Sequence, residues 1–190
     1  MNYNKQNLEK IFEQLSTYTI EETGINQFIK ELEAAGVIFF VLPHLQKTYL
    51  DGAAFFSGKN PVIVYTGRYK RIDNFWFTVV HEIAHILNHL DDETPFVLDN
   101  FKAGDVSKME TEANMLAAEK LKHTQIIDYL ESYLGYLPVS RVEECAAEYK
   151  IHPSIIIGKL AHEKKISYSN QSLYNDNVLK FIPQNYQIGN

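Results

Sequence analysis

Cys145 is the only cysteine in 190 residues, so no disulfide can form within the chain. Long apolar runs are missing as well. The longest, "GVIFFVL" at 36–42, falls far short of the roughly 20 residues that a membrane-spanning helix needs. Positive charge is in the minority: 18 Lys and Arg stand against 24 Asp and Glu, for a net charge of −6. That balance argues against direct nucleic-acid binding through a broad basic face. There is no internal repeat and no low-complexity tract. "MNYNKQNLEK" at the start lacks the apolar segment of a signal peptide, so the expectation is a cytoplasmic protein that does not engage a membrane.

What is present suits one folded domain. The chain is 45% hydrophobic and 22% charged, and a chain of this length buries about 70% of the surface its unfolded form exposes. Apolar spacing predicts helices over 5–16 and over 25–35, the second closed by Gly36. "VIFFVLP" reads as a strand. "GAAFF", a turn at "SGKN" and "PVIVYT" read as a β-hairpin. A long helix follows, capped by Asp73 or Asn74 and running to about Leu90. After a polar connection, Ser107 is placed to cap a helix from Lys108 to Lys122, and another covers 124–134. "SRVE" at 140–143 has the form of a capping box, and Pro153 suits the first turn of a last helix through Lys164. The order predicts an α+β fold with a small antiparallel sheet. The expected domain spans 1–170, with a helical N-terminal segment (1–35), a core (36–122) and a helical part (123–167). An irregular tail occupies 171–190.

The chemistry concentrates in "FTVVHEIAHILNH", residues 77–89. On a helix, His81 and His85 lie one turn apart and about 40° from each other, so two neutral imidazoles can grip one divalent cation. Glu82 points about 100° away from His81, placed to take a proton from an attacking water. His-Glu-x-x-His is the metallopeptidase pattern with the glutamate as general base. Seven His and sixteen Glu in this chain give about 0.02 chance occurrences of it. Two histidines packed in a plain core helix would each need a buried partner, which makes that reading costly.

His89 continues the stripe, but its rise of about 12 Å from His81 keeps one ion from reaching both. It reads as a support or surface residue. Asp91 has the spacing of a third metzincin ligand, although Asn88 stands where that pattern needs glycine for a turn. The better third ligand comes from "METEANMLAAEKL", residues 109–121. Glu110 lies nearer the apolar stripe of Met109, Ala113, Leu116 and Ala117 than does Glu112, and the two carboxylates point about 200° apart. Glu112 and Glu119 fit a solvated face. Asn114, one turn after Glu110, can hydrogen-bond a ligand histidine and fix its tautomer. The implied ion is zinc, or another divalent metal such as manganese.

With both halves in view, the chain resembles the ImmA/IrrE family of zincin metallopeptidases from about Gly36 to Ser167. "FTVVHEIAHILNH" looks like its active-site helix, Arg71 like its upstream arginine, and "EANMLAA" like its third-ligand helix. "YLDGAAFF", "NPVIVYTGRYKRIDNFWFT" and "IHPSIIIGKLAHEKKI" are similar to the metallopeptidase-like domain fused behind a helix-turn-helix in some HigA-type antitoxin proteins. Where the family commonly has Phe, this chain has Leu116. The resemblance implies a zincin-like fold and a gluzincin-type zinc endopeptidase whose protein substrate is a helix-turn-helix repressor. Arg71 and His152 are candidates for stabilising an oxyanion or touching substrate, and "DGAAFF" is a candidate sheet edge for a substrate strand.

Two other classes remain in view. One is a non-catalytic zincin scaffold that binds a partner in a toxin–antitoxin or phage regulatory system. The intact Glu82 speaks against it, since a scaffold needs no base. The other takes "CAAEYKIHPSIIIGKL" as a DNA-reading helix-turn-helix, but Ile155, Ile156, Ile157 and Leu160 make its second helix a packing element. Cys145, in an amphipathic helix, reads as a small buried residue.

Overall fold

The computed structural model describes residues 2–44, 49–91, 93–96, 108–167, 174 and 176–188. Helices α1 (Lys5–Glu13) and α2 (Thr23–Ala34) come first, joined through a 3-10 turn at Leu15–Thr17. Leu8, Ile11 and Phe12 of α1 and Ile25, Phe28, Ile29 and Leu32 of α2 recur at helical spacing and are buried. Asn4 caps α1 through its side chain, which accepts from the Asn7 N–H. Gly36, at φ 82°, ends α2 in the left-handed conformation that glycine adopts without strain.

Strands β1 (Ile38–Val41), β2 (Gly52–Ser57) and β3 (Asn60–Tyr65) form one sheet in the order β1-β3-β2. β2 and β3 are the expected antiparallel hairpin, turned at Gly58 with φ 63°. β1 instead runs parallel to β3, pairing Ile38 with Val62. The sheet is therefore mixed, where the sequence suggested a purely antiparallel one. The difference lies in the crossover after β1, which brings the chain to the far edge before the hairpin closes onto β1.

Helix α3 (Ile72–Asn88) runs against β2 and β3. It is buried on nearly every side: Phe75, Trp76, Val79, Val80, Ile83 and Ala84 are fully enclosed, the pattern of a central helix. Its N-cap is Arg71, without a side-chain cap bond. Asp73 does not cap because its carboxylate takes the Arg71 guanidinium, at 2.9 and 3.1 Å. Asn74 does not cap either, as its side chain lies with Tyr65 and Asp51. At the other end of α3, Lys5 Nζ of α1 donates to the Leu87 carbonyl at 2.8 Å.

Helices α4 (Lys108–Lys120), α5 (His123–Leu130), α6 (Val139–Tyr149) and α7 (Pro153–His162) complete the α+β fold. Ser107, expected to cap α4, lies outside the described residues. The capping box of "SRVE" does not form. The N-cap of α6 is Pro138, and Arg141 pairs with Glu144 instead. α7 opens with Pro153 and packs on α3, where a β-carbon on Gly158 would meet the Asp73 carboxylate. Seven of its ten residues, including Ile155, Ile156, Ile157 and Leu160, are buried, so this helix packs as part of the core. After Asp176 the chain forms two short 3-10 turns, and Gln187 bridges to Val41 of β1. Among the described residues no helix is long and apolar enough to cross a membrane.

Candidate metal centre

α3 and α4 pack against each other, and this contact brings the two halves of the sequence pattern together. His81 and His85, four residues apart on α3, turn their Nε2 atoms toward one point, 3.0 Å from each other. Glu110, in the first turn of α4, reaches the same point. Its Oε1 lies 2.8 Å from His85 Nε2 and its Oε2 3.3 Å from His81 Nε2. Among the described residues, His81, His85 and Glu110 form the cluster able to hold a metal ion.

The donor set fits a divalent cation. Ligands about 2.0–2.1 Å from a tetrahedral ion sit about 3.3 Å from one another, and the three separations fall within about half an ångström of that edge. Two ring nitrogens and a carboxylate converge here on a common centre, a nitrogen and oxygen set that suits a divalent cation. Hydrogen bonds with His81 and His85 also hold the Glu110 carboxyl well below the usual carboxylate range, against the opposing effect of burial. The ligand is thus an anion at neutral pH.

Glu82 leaves the ligand triangle and turns toward the sheet. It is 7% exposed, and its Oε1 lies 2.9 Å from where a β-carbon on Gly52 of β2 would sit. A buried carboxylate thus lies one residue from a ligand histidine and against the edge strand. β2 is an outer strand of the sheet. Asp51 O accepts from Thr66 N–H on the β3 side. By the alternation of a strand, the backbone groups of Gly52 and Ala54 face the other way. Phe56, next in that series, donates its N–H outward to the Pro95 carbonyl at 2.7 Å. On this outer side Phe55 bridges antiparallel to Phe96, which covers the edge at Ala54 and Phe56, and Gly52 has no strand across from it among the described residues.

The remaining candidates lie elsewhere. Arg71 is ten residues before His81 on the same helix, a rise of about 15 Å, and is engaged by Asp73 and the Tyr69 ring. His152 caps α7: its Nδ1 accepts from Ser154 N–H, and its Nε2 lies 3.1 Å from Glu22. These contacts are what the structure shows for the two residues expected to stabilise an oxyanion or touch substrate. Asn114 is half-buried on α4, and the hydrogen bonds of His81 and His85 do not include it. The partner of His85 is His89, ring nitrogen to ring nitrogen (Nδ1 to Nδ1) at 3.0 Å, and His89 Nε2 in turn meets Glu112 Oε2 at 3.1 Å. Glu112, expected on a solvated face, is therefore engaged. The signal was available in the four-residue spacing His81, His85, His89 set beside Glu110 and Glu112. Asp91 is exposed and accepts from Glu93 and Thr94 N–H in a turn, away from the histidines. Burial pushes the Cys145 thiol up to about 11, which leaves it unreactive.

An α+β scaffold that gathers two histidines of one helix and a glutamate of another, with a buried carboxylate beside them, is a metallopeptidase-like fold with a candidate metal site. The comparison with known families agrees. Residues 21–160 match the Peptidase M78 family, described as the IrrE N-terminal-like domain, and the chain belongs to that family. Among curated proteins, none matches the chain.

Proposed function

We propose that this chain is a zinc-dependent metalloendopeptidase, acting in the cytoplasm on a helix-turn-helix type transcriptional regulator. The observation that carries the reading is the convergence of His81, His85 and Glu110 beside the buried Glu82. The regulator as substrate rests on the ImmA/IrrE resemblance.

His81, His85 and Glu110 would hold a divalent ion, which when bound would supply Lewis acidity to activate water and polarise a carbonyl. Zinc suits this nitrogen and oxygen donor set, and manganese is the other candidate. Glu82 acts as general base: its carboxylate takes the proton of the attacking water and returns it to the leaving amine. The outward backbone groups of Gly52 pair with an extended substrate, laying the scissile bond beside Glu82.

The test incubates the purified protein with a purified helix-turn-helix repressor and zinc, with and without a chelator, and follows fragments by mass spectrometry. Cleavage that the chelator stops, and that Glu82→Gln abolishes while metal stays bound, is the expected result. Tight association without fragments would favour the alternative of a non-catalytic zincin-like binding module. Unchanged turnover in Glu82→Gln would reject the mechanism.

A further inference from the structure

The two histidine ligands are supported unequally. The far nitrogen of His81, Nδ1, is buried and has no hydrogen-bond partner. That of His85 lies 3.0 Å from His89 Nδ1, and His89 Nε2 lies 3.1 Å from Glu112 Oε2. The His89 side chain is 5% exposed and that of Glu112 46%. The series therefore runs from a carboxylate at the surface, through a buried ring, to the ligand.

The protons in this series can be placed. A histidine that ligates through Nε2 carries its proton on Nδ1. That N–H of His85 needs an acceptor, and the atom facing it is His89 Nδ1, which must then present a lone pair. The proton of His89 consequently sits on Nε2 and donates to Glu112. Each ring is neutral with one proton, and reversing either tautomer would set two N–H groups or two lone pairs face to face.

We propose that Glu112 and His89 act as a positioning relay that fixes the tautomer and ring angle of His85 and so raises the affinity of the centre for its metal. The proposal rests on the metal-centre reading above. Partners that orient a ligand histidine contribute 10–100-fold in metal affinity when the ligand depends on them. Here the dependence falls on His85, through a second histidine in place of a direct carboxylate. Because α3 supplies the rings and α4 supplies both Glu110 and Glu112, the same helix contact delivers the third ligand and the end of the relay.

The test measures zinc affinity of the full chain by competition with a chromogenic chelator. It also records the visible absorption of the cobalt-loaded protein and the melting temperature of the metal-free form. His89→Leu is expected to weaken zinc binding about 10–100-fold and to alter the cobalt spectrum. Glu112→Ala should weaken it less, and Glu112→Gln, which keeps a carbonyl acceptor for His89, should restore most of the loss. Glu112 is half exposed, so its variants report even where His89→Leu does not fold. Zinc affinity and cobalt spectrum unchanged in Glu112→Ala and in folded His89→Leu would overturn the relay while leaving the metal centre standing. Loss of the metal in Glu112→Ala but not in Glu110→Ala would make Glu112 the ligand and also overturn it. A wild-type chain that holds no metal would overturn both readings.

Discussion

Glu82 Oε1 and Gly52 stand so close that a β-carbon on the glycine would come within 2.9 Å of the carboxylate and 2.4 Å of Thr78 Cγ2. The edge strand and α3 thus touch where a residue without a side chain lets the proposed base lie against the strand.

Gly52→Ala is therefore expected to displace Glu82 without touching a ligand. A shift of about 1 Å in a catalytic group costs on the order of 10²-fold in rate. Turnover should fall by that order while zinc affinity, measured by chelator competition, stays near the wild-type value. A parallel loss of metal would mean that the strand supports the ligands as well.

Glu110→Ala should remove the metal and the coupling it makes between α3 and α4. A ligand that binds only the folded state at about 1,000 times its Kd stabilises by about 4 kcal/mol. Thermal melts with and without zinc should separate for the wild type and coincide for Glu110→Ala. A zinc-induced rise in Tm that survives this substitution would place the third ligand elsewhere.

Stability should fall as pH drops from about 6.5 to about 4 because of His123. This ring stacks on Phe77, with centroids 5.8 Å apart, and burial pushes its pKa down to about 4. In that window the unfolded chain binds a proton that the folded chain refuses, so stability rises with pH, by at most about 3 kcal/mol for this shift. His123→Phe keeps an aromatic ring over Phe77 and should flatten that part of the pH profile of urea unfolding. An unaltered profile in the variant would remove His123 as its cause.

Trp76→Ala should cost about 3–5 kcal/mol by transfer and cavity effects. Trp76 is fully enclosed, in edge contact with Phe28 of α2 and Phe75 of its own helix. Denaturant melts measure the loss, and a change below about 1 kcal/mol would show that the surrounding core collapses to fill the space.

Much of this was legible in the sequence because the signals were local. Apolar periodicity marked the helices, and "SGKN" marked the hairpin turn. The four-residue spacing of His81 and His85, with the stripe on the α4 segment, pointed to the three side chains that the structure brings together, Glu110 among them. What failed to read was long-range. The parallel pairing of Ile38 with Val62 depends on a crossover that no local pattern encodes. The engagement of His152 by Glu22, 130 residues away, likewise follows only from packing. Glu112 was misjudged because helical angles alone place it away from the apolar stripe, whereas a long side chain can reach across to His89. Asn114 has the spacing to support a ligand histidine, while the ring hydrogen-bonded to His85 is that of His89 on the adjoining end of α3.

The order of strands in the sheet carries a consequence for biosynthesis. The strand at residues 60–65 has a neighbour on each side, and it is the last of the three to leave the ribosome. A nascent chain halted before it displays two strands with nothing to join. Once it emerges, the tight turn at Gly58 favours zipping with the segment just made, and the older strand docks afterwards, since short-range closure outpaces long-range closure. The edge proposed to receive a substrate is therefore translated before the helix carrying Glu110.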